Sequence, residues 1–394
     1  MRTDETPFYL TRVECPVCKT VNEFETIKLG AYTESGRDSD FRPTGREWRN
    51  PRYQGTNPLL YFMATCSSCF YTREFTRRFR EWKDDTAFRT HQQATLRQRH
   101  LAALADESGP LRALGACLWP DPYPLRTAIN KLLLGILSEE MMETPAHFDL
   151  GRWYLRIAWL FREMDEGSAV HPSPRSAARQ QFAHLLRGVR GDLGSTVERI
   201  EKLRTLVESS GNDVGCTPDD SDTAVECRGH IHGLVEHAEA MQSILQALNA
   251  VSDRNTTDNG SVREGGSGAD SYAGFPSYTA YLRDLQGKWK DAPFDEGQAL
   301  AQALRNYRMA YSIGRDIPEG NAQIQLIYMI GELSRRVGEL DDARQFLNLT
   351  VRNGREWIHK LKADPTRTAL VQHLIDLAIE QLHAMMDKSS RTGA

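Results

Sequence analysis

Apolar residues recur at three- and four-residue intervals through most of the chain after residue 75, and this spacing predicts helices. The segment 125–142 is the strongest example, with Ile129, Leu133 and Leu137 in register. A second helix over 148–164 follows after a short link, so these two helices are expected to pair. The chain is therefore predicted to be mainly α-helical. The remaining helical patterns cover residues 76–105, 296–314, 321–337, 341–353 and 367–387.

The first 75 residues follow a different pattern, in which short apolar runs are separated by loops. Residues 59–65 (LLYFMAT) give the best predicted strand, and residues 70–75 (FYTREF) give the strand that returns beside it. Residues 36–43 are charged and rich in turn-forming residues, which predicts a loop. Residues 1–75 are therefore predicted to form a small β-rich module.

The C-terminal helices carry a pattern that resembles the 34-residue tetratricopeptide repeat. Small residues fall where the two helices of such a repeat pack closely, and Gly338 falls where the first helix ends. Ser334 replaces the usual aromatic residue, which weakens the match. The matching positions are Ile327, Ile330, Gly331, Ser334, Gly338, Ala343, Leu347 and Thr350.

A second partial repeat is formed by segments that lie far apart in the chain. Ala303, Tyr307 and Ala310 match the second helix of a repeat, and the best candidate for its first helix is residues 150–164. This pairing predicts that residues 166–292 are an insertion between two helices of one repeat, an interruption that costs little loop entropy.

The predicted helical domain therefore comprises residues 76–165 and 293–394, on either side of the insertion. Within the insertion, helical patterns at 176–207 and 228–250 are consistent with a hairpin. Its role is left open between protein-specific contacts and a passive spacer. Polar, glycine- and serine-rich composition predicts disordered linkers at 167–175, 209–226 and 252–276.

Four of the seven cysteines form two C-x2-C pairs, Cys15 with Cys18 and Cys66 with Cys69. Each pair can bend into a tight knuckle, and two knuckles supply the four thiolates of a tetrahedral Zn2+ site. Because four thiolates leave no open coordination position, the predicted zinc is structural and supplies folding energy to the small module. A redox dithiol is the alternative, but the βαβ unit typical of that motif is not visible.

The other cysteines give weaker signals. Cys117 lies in an apolar stretch and is predicted to be a small buried hydrophobic residue. Cys227, His230 and His237 form a looser group that could share a helix face. Ordinary surface histidines are the favoured interpretation there over a second metal site.

Composition narrows the classes of function. The apolar runs are too short to cross a membrane, and the N-terminus lacks the apolar core of a signal peptide, so a cytoplasmic protein without membrane insertion is expected. The net charge of −4 disfavours a protein that coats nucleic acid, although the first 100 residues are mildly basic. Common catalytic motifs are absent, so the chain is predicted not to be an enzyme.

The most site-like group outside the cysteines is Arg37, Asp38 and Asp40 in the charged loop. These side chains could hold a cationic group of a partner. The favoured alternative is that they brace the loop through turns and an ion pair. The full set of predicted partner-binding residues is Arg37, Asp38, Asp40, Phe41, Tyr307, Tyr311 and Tyr328.

The order and spacing of several motifs resemble the bacterial family catalogued as domain of unknown function 2225. The resemblance covers about residues 1–165 and 293–355, and it implies a four-cysteine zinc module followed by tetratricopeptide-like helices. It implies no activity. Phe70 departs from the family pattern, in which a glycine follows the second knuckle. The matching motifs are Cys15–Cys18, Arg37–Phe41, Asn57–Tyr61, Cys66–Tyr71, Tyr154–Glu163 and Ile330–Gly338.

Three functions follow as hypotheses. The leading one is an adaptor for protein–protein interaction, which binds a partner through the groove of its helical repeats. The second is a nucleic-acid-binding protein that uses the zinc module, with Phe41, Trp48 and Tyr53 stacking on bases. The third is a thiol or metal sensor. The arginines that support the second hypothesis are Arg37, Arg42, Arg46, Arg49, Arg52, Arg73, Arg77, Arg78 and Arg80.

Overall fold

A computed structural model describes residues 6–120, 123–165, 272–314, 317, 319–361 and 365–392. By its internal contacts the chain divides into one compact unit of Met1–Pro174 and Asp270–Ala394, and a second unit of Arg175–Ala269. All described residues belong to the first unit. The predicted helical hairpin and linkers of the insertion, and the group Cys227, His230 and His237, lie outside the described residues.

Three antiparallel hairpins form the N-terminal part of this unit. Strand β1 (Phe8–Glu14) pairs with β2 (Val21–Ile27), β3 (Tyr32–Arg37) with β4 (Pro43–Trp48), and β5 (Met63–Thr65) with β6 (Thr72–Glu74). The turns of the first and third hairpins contain the two cysteine pairs. The predicted β-rich module is thus a set of short hairpins.

The strand predicted over residues 59–65 is shorter than expected, because Pro58–Tyr61 forms a 3-10 helix. The side chain of Asn57 accepts a hydrogen bond from the Leu59 backbone N–H, and Pro58 occupies the first helical position. An asparagine cap followed by proline is a helix-start signal, and here it outweighs the apolar run that follows.

The predicted helix over residues 76–105 is broken into α1 (Arg77–Arg80), a π-helical turn (Phe88–Gln92) and α2 (Gln93–Ala105). The break has a local cause, because the Asp85 carboxylate accepts a hydrogen bond from the Phe88 backbone N–H at 2.9 Å. A side chain that caps the backbone in this way starts a new helical segment instead of continuing the old one.

The helices predicted over 125–142, 148–164, 296–314 and 321–337 lie close to those bounds, whereas the helix predicted over 341–353 continues to Lys360 and a short helix at Pro110–Gly115 was not predicted. After the short α3 (Pro110–Gly115), α4 (Pro124–Glu140) is buried along most of its length and contacts β5, β6 and the 3-10 helix. Helix α5 spans His147–Asp165, α7 spans Glu296–Ile313, α8 spans Asn321–Val337, α9 spans Leu340–Lys360 and α10 spans Pro365–Thr392. Helix α5 packs mainly on α7, α7 packs on α8, α8 on α9, and α9 on α10.

Residues 272–292, which the sequence pattern assigns to the end of the insertion, belong to the first unit, and several of their side chains are buried in its core. Helix α6 (Tyr278–Lys288) buries Tyr281 and Leu285, and its N-cap is Ser277. Tyr272 is also buried, and its hydroxyl donates to the Cys117 carbonyl at 3.1 Å. The apolar residues of α6 follow helical spacing, so this helix could have been predicted from the sequence.

Within the described ranges, no helix combines the length and the apolar character needed to cross a membrane.

Candidate metal centre

The two cysteine pairs form turns with the same backbone hydrogen bonds. The Cys15 N–H donates to the Thr20 carbonyl at 2.9 Å, and the Lys19 N–H donates to the Cys15 carbonyl at 3.0 Å. The second turn repeats this pattern, with Cys66 N–H to the Tyr71 carbonyl at 2.9 Å and Phe70 N–H to the Cys66 carbonyl at 3.0 Å. Both turns therefore present their two thiols in the same way.

The four thiols of these turns converge. Cys15 Sγ lies 3.6 Å from Cys69 Sγ, and Cys18 Sγ lies 3.5 Å from Cys66 Sγ. All four sulfur atoms lie within 4.8 Å of one another, and three of the cysteines are buried. These two pairs each join one turn to the other, so the cluster brings together segments about fifty residues apart in sequence. The four cysteines thus form a possible metal site.

The thiols also influence one another's ionisation. Hydrogen bonding to Cys66 and burial raise the pKa of Cys15 to about 12. The pKa of Cys69 is raised by hydrogen bonding to Cys15 and Cys66, whereas hydrogen bonding from Cys15 lowers the pKa of Cys66. One thiolate is therefore favoured and its neighbours resist ionisation, because adjacent negative charges repel. A bound cation would remove this repulsion and deprotonate the set.

Residues around the thiols hold the two turns together. Asn22 Nδ2 donates to Cys66 Sγ at 3.4 Å, and its Oδ1 accepts from the backbone and the hydroxyl of Ser67, each at 2.9 Å. Buried His100 lies with Nε2 2.8 Å from the Cys69 carbonyl, and burial lowers the pKa of its imidazole. Such outer contacts fix the orientation of ligating residues. Neither residue was identified from the sequence. In the sequence, Asn22 is an ordinary polar residue of a strand and His100 an ordinary histidine of a helix, and neither lies beside a cysteine pair.

The loop predicted to bind a partner is attached to the helices instead. Buried Asp40 pairs with Arg162 of α5 at 2.8 Å and lies 3.6 Å from Arg336 of α8. Asp38 accepts from Arg42 at 3.1 Å and from Arg162 at 3.0 Å. Burial alone would raise the pKa of Asp40, but the two arginines outweigh it and hold that pKa below its ordinary value. The bracing therefore extends beyond the loop and reaches two helices.

The other predicted partner-binding residues differ in exposure. Arg37 is exposed, and the ring of Phe41 packs against Tyr328 with centroids 5.4 Å apart. Tyr328 is fully buried, and its hydroxyl donates to the Ser39 carbonyl at 2.8 Å. Tyr307 is buried in the core, whereas Tyr311 is half-buried. Asp40, Tyr307 and Tyr328 are therefore covered by the fold, whereas Arg37 and part of Tyr311 are accessible at the surface.

A second feature not identified from the sequence is a cavity of about 480 Å³ beside the same loop. It lies between the second hairpin, the segment around Pro58 and helix α5, and Arg37 is one of its lining residues. Arg156 and Trp159 line it from α5, where the sequence pattern shows only a conventional amphipathic helix.

Comparison with known proteins gives one family match. A family model described as an uncharacterized protein conserved in bacteria (DUF2225) matches residues 8–186 and 277–383. No curated protein and no solved structure matches the chain. The match covers both cysteine turns, the braced loop and helices α5 to α9. On this basis the chain belongs to the bacterial DUF2225 family.

Proposed function

We propose that the chain is a non-catalytic adaptor, in which a structural zinc ion stabilises the hairpins and the C-terminal helices bind a partner protein. The identity of the metal rests on its donor set. A tetrahedral ion with Zn–S bonds of about 2.3 Å places its sulfur atoms about 3.8 Å apart, close to the separations of 3.5 and 3.6 Å between the turns. Four thiolates favour zinc over harder divalent cations.

The tetratricopeptide-like character of the helices is part of the proposal. Helices α8 and α9 are separated by only Gly338 and Glu339, and Gly338 has the left-handed conformation of a helix C-cap. A Cβ atom added at Gly331 would lie 2.9 Å from Leu347 Cγ, so a glycine is required where the two helices cross. These features support a repeat-like pair, and stacked pairs of this kind commonly bind peptides.

The observation that carries the adaptor proposal is an open apolar groove between α9 and α10, with a volume of about 570 Å³. Val351, Ile379 and Leu382 form its apolar lining, while Arg344 and His383 add polar side chains. Its proposed occupant is an amphipathic segment of a partner protein, whose apolar side chains fill the groove and whose acidic side chain meets Arg344. Helix-in-groove recognition uses this combination.

Affinity capture from the native cell tests the adaptor proposal if two surface variants are compared after nuclease treatment. Met386 lines the groove and is 56% exposed, whereas Leu370 is 42% exposed on the same helix and does not line the groove. We expect Met386→Glu to lose a stoichiometric partner that the wild type and Leu370→Glu both retain. Equal recovery by the two variants, or loss of the partner with nuclease, would contradict the proposal.

The geometry gives the nucleic-acid hypothesis less support. Arg42, Arg46 and Arg73 form ion pairs with Asp38, Glu163 and Glu139, so their charges are neutralised within the fold. The Trp48 ring, expected to stack on bases, is buried, and its indole N–H donates to the Thr56 carbonyl at 3.0 Å.

A further inference from the structure

The cavity beside the second hairpin contains an arginine that lacks a carboxylate partner. Arg156 Nη1 donates to the Arg152 carbonyl at 3.2 Å, and among the described residues no carboxylate lies within ion-pair distance of its guanidinium. Burial lowers the pKa of Arg156, and nearby Arg152 lowers it further, so the two together outweigh the opposing effect of Glu74 and Asp149. An arginine has five N–H donors, so most of those of Arg156 are uncommitted.

Two carboxylates near this cavity, Glu74 and Glu163, are already engaged, whereas Glu34 lines the cavity and forms no ion pair among the described residues. Glu74 accepts from Arg152 at 3.2 Å and from the Trp153 indole at 3.3 Å. Glu163 binds Arg46, which also lines the cavity, at 3.1 Å. Arg37 lines the cavity, is exposed, and has no carboxylate partner within the described residues. The lining therefore holds three arginines (Arg37, Arg46 and Arg156) and two carboxylates (Glu34 and Glu74), and within the described residues Arg156 and Arg37 form no ion pair.

The cavity walls are largely aromatic. Tyr61, Phe62, Phe75 and Trp159 line it, and the guanidinium of Arg156 lies 4.3 Å from the centroid of the Phe62 ring. The ring face holds the cation in place while leaving its edge donors available. At about 480 Å³ the cavity falls within the range of pockets that enclose small ligands, roughly 300–1,000 Å³.

We propose that this cavity binds a small aromatic anion, whose carboxylate or phosphate group is held by Arg156 and Arg37 and whose ring packs against the aromatic walls. Charge-assisted hydrogen bonds from arginine to these anions are strong and directional, and they would supply the partner that Arg156 lacks. The site is independent of the groove between α9 and α10, so either proposal can fail without the other.

Calorimetric titration of the full-length protein tests the proposal with two matched pairs of probes. One pair is adenosine 5′-monophosphate and adenosine, and the other is indole-3-acetate and indole-3-acetamide. We expect at least one anion to bind at least about tenfold more tightly than its uncharged counterpart, a difference of about 1.4 kcal/mol. The pair that shows the preference distinguishes a phosphate ligand from a carboxylate ligand.

Three arginine variants locate the binding. Arg156→Met should weaken binding of the preferred anion by at least about tenfold, and Arg37→Met should weaken its binding several-fold. Arg77→Met is the control, because Arg77 is 82% exposed, pairs with Glu81 and lies outside the cavity. If Arg156→Met fails to fold, as judged by circular dichroism, the exposed Arg37 decides the question. Equal affinity for charged and uncharged probes, or unchanged affinity in Arg37→Met, would overturn the proposal.

Discussion

Lys19 and Phe70 occupy the same strained position, one residue after the second cysteine of each turn. Their φ angles are +68° and +61°, in the left-handed region that costs a non-glycine residue about 1–2 kcal/mol. This geometry explains why a glycine suits the position that Phe70 holds. The phenyl ring is accommodated by Gly115 of α3, where an added Cβ atom would lie 2.3 Å from the Phe70 Cδ2 atom.

A double-mutant cycle tests this pairing of residues. We expect Gly115→Ala to lower the free energy of unfolding by about 1–3 kcal/mol, because its methyl group overlaps the Phe70 ring. In a Phe70→Gly background the same alanine should be neutral or stabilising, since alanine is the better helix former. Urea unfolding of the four metal-loaded proteins measures both values. If Gly115→Ala lowers the free energy of unfolding equally in the two backgrounds, the Phe70 ring is not the reason that position 115 requires a glycine.

At the scale of elements, the loop between β3 and β4 links the N-terminal hairpins to two helices. Arg162 of α5 binds Asp40 and also Glu296 at the start of α7, the latter at 2.6 Å. Ser39 donates to Glu332 of α8 at 2.6 Å. The loop therefore contacts α5 and α8 directly, and Arg162 connects it to α7, a role that the charged composition of the loop alone does not indicate.

Replacing Asp40 tests that role. We expect Asp40→Asn to lower the free energy of unfolding by about 1.5–3 kcal/mol at neutral pH, because it removes a buried carboxylate that accepts from Arg162, while Asp38 and Glu296 still pair with that arginine. Glu81→Gln is the matched control, since its ion pair with Arg77 is exposed to solvent and should contribute little to stability. Both values come from denaturant unfolding.

The effect of Asp40 should also depend on pH in a defined direction. The folded-state pKa of Asp40 is held below the unfolded value of about 3.9. Its contribution is therefore fully present above that value and is lost as pH falls through the folded pKa. The stability gap between wild type and Asp40→Asn should stay constant near neutrality and narrow below about pH 4. A gap that does not change with pH would contradict the ion-pair account.

Most of the helix positions and the cysteine cluster could be predicted from the sequence. The bounds of α4, α5, α7 and α8 follow from local apolar spacing, and the four cysteines follow from their own motif. The pairing of α5 with α7 was predicted across the insertion, and Phe148 and Tyr307 now contact there with ring centroids 5.8 Å apart.

Other features could not be derived locally. Asp40 meets Arg162 and Arg336 across 122 and nearly 300 residues of sequence, and nothing near Asp40 identifies those partners. The same holds for Asn22, whose contact with Ser67 depends on how the two turns meet. The cavity around Arg156 arises only when a hairpin and a helix pack together.

At the scale of the whole molecule, the described hairpins and helices belong to one compact unit, which is built from two separate segments of the chain, Met1–Pro174 and Asp270–Ala394. Thr72 is the first residue of β6, directly after the second cysteine turn. Its backbone N–H donates to the Ser138 hydroxyl of α4 at 3.2 Å. Arg73 forms an ion pair with Glu139 of the same helix. The cysteine cluster is thus joined to the central helix by short contacts, so loss of the proposed metal should destabilise the helices as well as the hairpins.

The central claim is that one zinc ion on four cysteines stabilises this unit as a whole. Its most direct test is thermal unfolding of the full chain, followed by the helical circular dichroism signal before and after metal removal by a chelator. Cys66→Ser should behave like the chelated protein, whereas Cys117→Ala, a buried cysteine outside the cluster, should still respond to chelation. The account predicts that metal loss lowers the melting temperature of the helices. Helices that melt at the same temperature with and without metal would contradict it.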